Sequence, residues 1–396
     1  MGFGHIHLHS EHSTLDGMGK IRELLETAKA LGQTFVAITD HGTTSGLYEA
    51  QQIGDEIGIK VILGCEFYYK REIDSKNGHL LILAKNDVGL RNIYKMQEYA
   101  HVYNFYYKPR IDFNILKQFS EGLIVTSACL GSPFNQYLLK GDYMGAKSWA
   151  KQFKDLFKED FYIEIQPNDI PEQHVANMGG IRIAEQLGIK LVGTNDVHYC
   201  LETDQFPHEV LLALQLNKKM SDEQRFKFPD HNFWLKSEEE MVETFNLLDA
   251  DIVKEALANT QEIADKCTAR IKPGKYLPKF YDVPDGSTAR ELLVEKTLDG
   301  AREKKLITDK AFMKDVQKEI DVIDEEGYSD YFLIVQDYIQ SALKRGELIS
   351  DGRGSGSGSK VGYVTGIHNI PPHEFDLLFE RFMAHGREPD YQYSRV

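Results

Sequence analysis

From residue 1 to about 200, short apolar runs rich in β-branched residues alternate with stretches whose apolar positions recur at helical spacing. The runs read as strands at 3–9, 35–39, 60–65, 79–84, 122–126, 161–166 and 190–193. A run of four to eight apolar or alternating residues between turn signals is the mark of a strand. Amphipathic helical stretches lie between them, among them 20–31, 46–57, 87–99 and 173–187. Strand and helix in alternation predict parallel strands joined by helical crossovers, and seven such strands predict a barrel rather than an open sheet. Polar residues gather where the apolar runs stop. The second run leads into Asp40 and His41, the third into Glu66, the fifth toward Cys129 and the seventh toward Asp196 and His198. Reactive groups at the C-terminal ends of parallel strands are what a barrel enzyme displays. His79 is the exception, because it opens its run.

Residues 200–270 read as mainly helical, with Ser237 ahead of Glu239 and Glu240 as a capping start. Pro273, Gly274, Pro278, Pro284 and Gly286 mark 271–288 as a linker. Helical periodicity resumes over 289–326, followed by an apolar run at 331–335 and the Gly/Ser-rich stretch DGRGSGSGS at 351–359. The expected organisation is therefore 1–270, a linker at 271–288, and 289–396.

Composition sets limits on this picture. A chain of 396 residues exceeds one ordinary core and suggests about two or three units. Hydrophobic residues make up 42% and charged residues 27%, which fits a globular enzyme. No apolar run reaches the roughly 18 residues of a membrane span. The polar start MGFGHIHLHSEHS lacks a basic segment followed by an apolar one, so it is not read as a secretory signal. Cys65, Cys129, Cys200 and Cys267 are scattered, with no CxxC pair, and a cytoplasmic location with reduced thiols is expected. The net charge of −15 excludes a chain that coats nucleic acid non-specifically, but leaves room for a local basic groove.

The candidate chemistry starts at His5-Ile6-His7-Leu8-His9. Side chains alternate along a strand, so the three histidines are expected on one face, with Ile6 and Leu8 on the other. Neighbouring neutral imidazoles suit zinc, manganese or iron. The blocks ITDHG (38–42), GCE (64–66), SACLG (127–131) and TNDVH (194–198) add oxygen, nitrogen and sulfur donors, and Asp16 sits in the turn-like tripeptide LDG. Glu66 could bridge two ions, and Cys129 as a thiolate favours zinc. Taken singly, each has a structural reading: Asp16 a turn former, Asp40 a helix cap, Cys129 a small buried hydrophobe, His79 a core histidine. Their joint occurrence at strand ends argues for a shared metal site.

Residues 5–17, HIHLHSEHSTLDG, together with these blocks, resemble the PHP (polymerase and histidinol phosphatase) domain. HLLILAKNDVGLRNIYKM (79–96), FYYKPRIDF (105–113), TNDVHYC (194–200), HEVLLALQ (208–215) and YFLIVQDYI (331–339) widen the resemblance to the N-terminal portion of C-family, bacterial-type DNA polymerase III alpha subunits, as far as about Arg387. The resemblance implies an α/β fold: a PHP-type distorted (β/α)7 barrel followed by the mainly helical α+β start of a polymerase palm. It implies nine metal ligands, His7, His9, Asp16, His41, Glu66, His79, Cys129, Asp196 and His198, holding up to three divalent ions, Zn2+ and/or Mn2+. One ion falls to His7, His9, Glu66 and Asp196, a second to Glu66, His79 and Cys129, and a third to Asp16, His41 and His198. His7, His9, Glu66 and Asp196 are the implied catalytic set, whereas His5 and His12 are expected to support or pack. The implied activity is metal-dependent 3′–5′ exonucleolysis at a DNA primer end. The alternatives are a structural module that docks a proofreading exonuclease, or a small-molecule phosphatase.

The Gly/Ser-rich stretch resembles the GRGS loop of the same family, with Gly352, Arg353, Gly354 and Ser355 as binders of an incoming nucleotide triphosphate. Glycines let backbone approach phosphate, and Arg353 offers a fork of donors. The stretches 361–367 and 377–382 follow as in the family palm. Pro389-Asp390-Tyr391-Gln392-Tyr393-Ser394 departs from the pattern, placing Gln392 and Ser394 where the family has aspartates. Neither replaces a carboxylate in a two-metal site. Mg2+ and dNTP are thus expected only for a completed polymerase, and this chain alone is not expected to extend a primer. Expected partners are DNA, and beyond it the C-terminal polymerase part supplied in trans, a sliding clamp or a proofreading subunit; no membrane is expected.

Overall fold

The computed structural model describes residues 2–71, 74, 76–228, 232–274 and 277–384, so the tail from Pro389 to Ser394 lies outside the described residues. They divide into two units, Met1–Lys272 and Pro273–Val396. Among the described residues no helix is long and apolar enough to cross a membrane.

The first unit is built on β1 (Phe35–Ile38), β2 (Lys60–Lys70), β3 (Asn77–Ala84), β4 (Phe105–Tyr106), β5 (Lys108–Ile111), β6 (Leu123–Thr126), β7 (Phe161–Ile165) and β8 (Lys190–Gly193). β1, β6 and β7 are buried at every position, which is why they read as mainly apolar runs, broken in β7 by Glu164, rather than alternating ones. β1 pairs with β2 in parallel, as do β6 with β7 and β7 with β8. β3 does not follow. It runs antiparallel to both β2 and β6, so the expectation of an all-parallel set is corrected. The cause is chain length. β2 continues past Cys65 to Lys70, and the few residues left before β3 cannot make the crossover of a dozen or more that a parallel pair needs. The hairpin β4–β5 attaches beyond the ring, on the far end of β2.

The expected first strand is not a regular one. It bends at Ile6 and His7, and only Leu8 forms a bridge, with Val197. It nevertheless closes the ring. Ala37 and Thr39 donate backbone N–H groups to His5 and Leu8 at 2.8 and 3.0 Å, and His9 donates to Val197 at 2.8 Å. The bend separates the two apolar residues. Ile6 joins Phe35, Ala37, Leu83, Tyr162 and Val192 in a core layer that includes Ile263 of helix Ala250–Lys266. Leu8 belongs to the larger core between strands and outer helices. Helix Tyr143–Phe157 shows how that layer forms: Ala146, Trp149, Ala150, Phe153 and Phe157 recur at helical spacing on its buried face, and Asp142 caps it by accepting from Gly145 N.

Between 200 and 270 the helices are Gln205–Gln215, Glu238–Thr244 and Ala250–Lys266, and the described residues between the first two are irregular. Ser237 does open a helix, in a reciprocal cap with Glu240.

The second unit carries helices Ala289–Glu303, Lys310–Glu325, Ser329–Lys344 and Lys360–Val364, and no strand among its described residues. Its core gathers Leu293, Phe312, Val316, Ile320, Leu333 and Val361, and Phe280 from the expected linker packs into it. Glu319 is buried and accepts from Ser359 Oγ at 2.8 Å, Lys360 N at 2.9 Å and Val361 N at 3.0 Å, tying down the start of the last helix.

Candidate metal centre

Seven segments deliver side chains to one end of the ring. His7 and His9 come from the bent segment, Asp16 from the turn after it and His41 from the residues following β1. Glu66 lies inside β2 and His79 inside β3; Cys129 and the pair Asp196 and His198 follow β6 and β8. The antiparallel course of β3 explains His79: the beginning of that strand lies at the same end as the finish of its parallel neighbours.

Glu66 is the hub. His7 Nε2 stands 3.2 Å from its Oε1, and His41 Nδ1 stands 2.7 Å from Oε2, with His9 Nε2 and His79 Nδ1 each at 3.5 Å. Cys129 Sγ lies 3.7 Å from Oε1 and 3.3 Å from His79 Nδ1. Asp196 Oδ1 is 3.2 Å from Nε2 of both His7 and His9. Asp16 lies 3.2 Å from His41 Nε2 and 4.0 Å from His198 Nε2. The nine side chains singled out in the sequence therefore sit together. Their grouping differs in two respects from the one implied by resemblance: His41 reaches Glu66 as well as Asp16, and His9 converges with His41 and His198 as well as with His7 and Glu66.

His7 Nε2, His9 Nε2, His41 Nδ1, Glu66 Oε2 and Asp196 Oδ1 are buried and, despite their closeness, none is in hydrogen-bond geometry with a partner. Leaving such groups unpaired is costly, and lone pairs that converge without hydrogen-bonding one another fit a bound cation. The electrostatics agree. Burial opposes charge on His7, yet Asp196, Glu164 and Glu66 outweigh it and raise the imidazole well above its ordinary value. Burial also opposes charge on Glu66, which the neighbouring imidazoles nevertheless hold well below the usual carboxylate range. Burial, together with the nearby carboxylates, pushes the Cys129 thiol far up, so only a cation at the sulfur would favour its thiolate.

His5 parts from its two neighbours. The bend turns it away from the centre, and its Nε2 lies 2.9 Å from Lys236 O in a fully buried site. Burial, partly offset by that carbonyl, lowers its pKa to about 4. The expectation of three histidines on one face is thus corrected to two. His12 contacts Ser45 and Glu49 and not the centre.

Three residues hold the histidines in place: Glu164 and Ser13, which the sequence reading missed, and Asp40, which it read as a helix cap. Glu164 in β7 accepts from His7 Nδ1 at 2.6 Å, Thr126 Oγ1 at 2.5 Å, Gln166 Nε2 at 2.9 Å and Thr194 Oγ1. Ser13 Oγ lies 3.0 Å from His9 Nδ1 and donates to Asp40 Oδ1 at 2.9 Å. Asp40 is buried and also accepts from Ser10 N and Oγ, so it ties the loop rather than capping a helix. A carboxylate or hydroxyl on the far imidazole nitrogen fixes the tautomer and presents the other nitrogen to a metal. The available signal for Glu164 was a lone charge inside the apolar run FYIEI.

In the second unit, Gly352, Arg353, Gly354 and Ser355 lead into a short 3-10 turn, with Gly354 at φ 69°. Gly352 and Arg353 border a cavity of about 310 Å3 lined also by Tyr331, Tyr338 and His368.

Comparison with known proteins places these features. Residues 5–168 match the PHP domain, and residues 291–391 match the bacterial DNA polymerase III alpha NTPase domain. DNA polymerase III subunit alpha of Aquifex aeolicus is 36% identical over 96% of this chain and 35% of its own length. That of Borreliella burgdorferi is 37% identical over 96% and 34%, and that of Treponema pallidum 37% over 97% and 33%. The chain thus spans about a third of the length of these curated relatives.

Proposed function

As a PHP-domain chain homologous to the N-terminal portion of bacterial DNA polymerase III alpha subunits, this protein, we propose, hydrolyses phosphodiester bonds at DNA 3′ ends in its metal centre. The observation that carries the reading is the set of five buried nitrogen and oxygen atoms that converge to ion-pair distance without hydrogen-bond geometry, beside an open cavity of about 380 Å3. His7, His9, Glu66 and Asp196 would hold the ion nearest the reaction, with Glu66, His79 and Cys129, and Asp16, His41 and His198, serving further sites. The nitrogen and oxygen donors suit Zn2+ or Mn2+, and the sulfur of Cys129 favours zinc where it contributes. Bound divalent ions supply Lewis acidity and an activated water for in-line displacement. The chain's own residues orient that chemistry. Glu164 accepts the His7 Nδ1 proton and leaves Nε2 free to donate its lone pair, and Ser13 with Asp40 orients His9 in the same way.

The test is degradation of a 3′-mismatched primer with manganese. Wild type should shorten the strand, and His9→Ala should lower the rate by about a hundredfold or more, since losing a residue that only supports a ligand already costs about ten- to hundredfold. Equal rates in the two proteins would overturn the proposal. For the second unit we propose that Gly352, Arg353, Gly354 and Ser355 bind a nucleotide triphosphate within a polymerase. Its support is the backbone opened by Gly354 beside an exposed guanidinium at a cavity edge.

A further inference from the structure

The cavity over the metal centre is lined mainly by apolar surface. Part of that lining is a series of rings leading outward from a residue of the centre. Phe228 lies 5.5 Å from His198 between ring centroids, and Phe226 lies 5.4 Å from Phe228. Phe228 is held in position by stacking on His208 at 5.6 Å and 17°, and by Phe233 at 4.5 Å. Phe226, at the outer end, is 55% exposed. Three amide side chains, Gln136, Gln166 and Asn168, also line it, though they present little polar surface. Two of these amides are engaged: Gln136 Nε2 donates to Leu130 O and Gln166 Nε2 to Glu164, both at 2.9 Å. Asn168 is only 9% exposed, and its Oδ1 has no hydrogen-bond partner among the described residues. That oxygen is covered from solvent, so an incoming N–H group satisfies it once the amide turns into the cavity.

We infer that this cavity is a subsite for the single unpaired nucleobase at the end of a strand, with the base stacked on Phe226, its edge toward Phe228, whose ring stands at 70° to that of Phe226, and an N–H of its pairing edge donated to Asn168 Oδ1. The inference rests on the phosphodiesterase reading above and adds the substrate class to it. Every base has a π-face for an aromatic ring, and each of the four DNA bases has an N–H on its pairing edge, so the subsite tolerates any sequence. It does not tolerate pairing. A base inside a duplex has its faces stacked and its pairing edge occupied, and a cavity of about 380 Å3 is of single-ligand size. A frayed or mismatched end meets these conditions, whereas a fully paired end must first be opened at a cost of a few kcal/mol.

The experiment measures binding, not turnover. The full chain with manganese is titrated with two single-stranded oligonucleotides of equal length, each with a phosphorothioate terminal linkage. One ends in 2-aminopurine and the other in an abasic residue. Wild type should bind the base-ended strand about tenfold tighter, as expected for one base–aromatic stack. Phe226→Ala, at an exposed position outside the buried core, should lose most of that preference. Phe226→Tyr should keep it, and Asn168→Ala, with its fold checked by circular dichroism, should reduce it. No preference in wild type, or an undiminished one in Phe226→Ala, overturns the subsite. Intact preference in a protein that leaves an unmodified 3′-mismatched primer uncleaved would count against the hydrolytic reading and leave the subsite standing.

Discussion

Replacing Glu164 by glutamine tests whether a residue that touches no metal controls metal binding. The substitution keeps the volume of a side chain that is 4% exposed, and removes its charge. Four donors converge on this carboxylate: His7 Nδ1 at 2.6 Å, Thr126 at 2.5 Å, Gln166 at 2.9 Å and Thr194. A glutamine oxygen in place of Oε1 still accepts from His7, and the Thr126 hydroxyl can rotate to accept from the new amide. The fold should therefore survive. The bond to His7 changes from charge-assisted to neutral, which loses about 1 kcal/mol, since such bonds are roughly twice as strong as neutral ones. Loss of the carboxylate's support for a cation on His7 brings the total to about 1.4–2.7 kcal/mol, or ten- to hundredfold in metal affinity. The assay is competition of wild type and Glu164→Gln against a chromogenic chelator for zinc and manganese, with ions per chain counted by elemental analysis. Affinities within twofold of each other and equal ion counts would refute the reasoning that Glu164 sets the basicity and orientation of His7.

Chelation should lower the thermal midpoint of the first unit by at least about 5 °C, because a ligand at a hundredfold excess over its dissociation constant contributes roughly 2.7 kcal/mol. Trp149 and Trp234, the two tryptophans of the chain, both report on that unit, and an unmoved fluorescence transition would count against a bound ion. In the second unit, burial pushes the Glu319 carboxyl up to about 7 against the pull of its three donors. Its folded pKa thus exceeds the unfolded value of about 4.5, so its contribution is complete below pH 4.5 and is lost as pH rises through 7, by at most about 3 kcal/mol. Urea unfolding followed by circular dichroism should show that decline in wild type and a flatter profile in Glu319→Gln; parallel profiles would remove the assignment. Gly300→Ala should destabilise the second unit by about 1–3 kcal/mol or more, because an added Cβ would lie 1.9 Å from Val364 O. An unchanged urea midpoint would show that the two helices part without cost.

The sequence by itself singled out the nine polar side chains that the fold brings together, and most of the strand positions. Unbroken apolar runs such as FVAI and LIVT are buried on both faces, so burial and periodicity coincide, and the donors beside them stand out as polar groups at the limits of apolar segments. It did not determine direction or orientation. Whether β3 runs with or against β2 depended on β2 reaching Lys70, and the residues beyond Cys65, among them Glu66, obscured that extension. The alternation of His5, His7 and His9 assumed a straight strand, and the bend at Ile6 and His7 broke it. That bend exists because the segment must bond to β1 on one side and to Val197 on the other while placing Ile6 and Leu8 in different cores. Glu164, Ser13 and Asp40 were invisible as positioning groups because a single buried carboxylate or hydroxyl has no sequence period; its role lies in what it meets across the ring. Only the tertiary structure brings together partners as distant as His7 and Glu164, 157 residues apart, and only closure of the ring decides which nitrogen of each imidazole faces the centre.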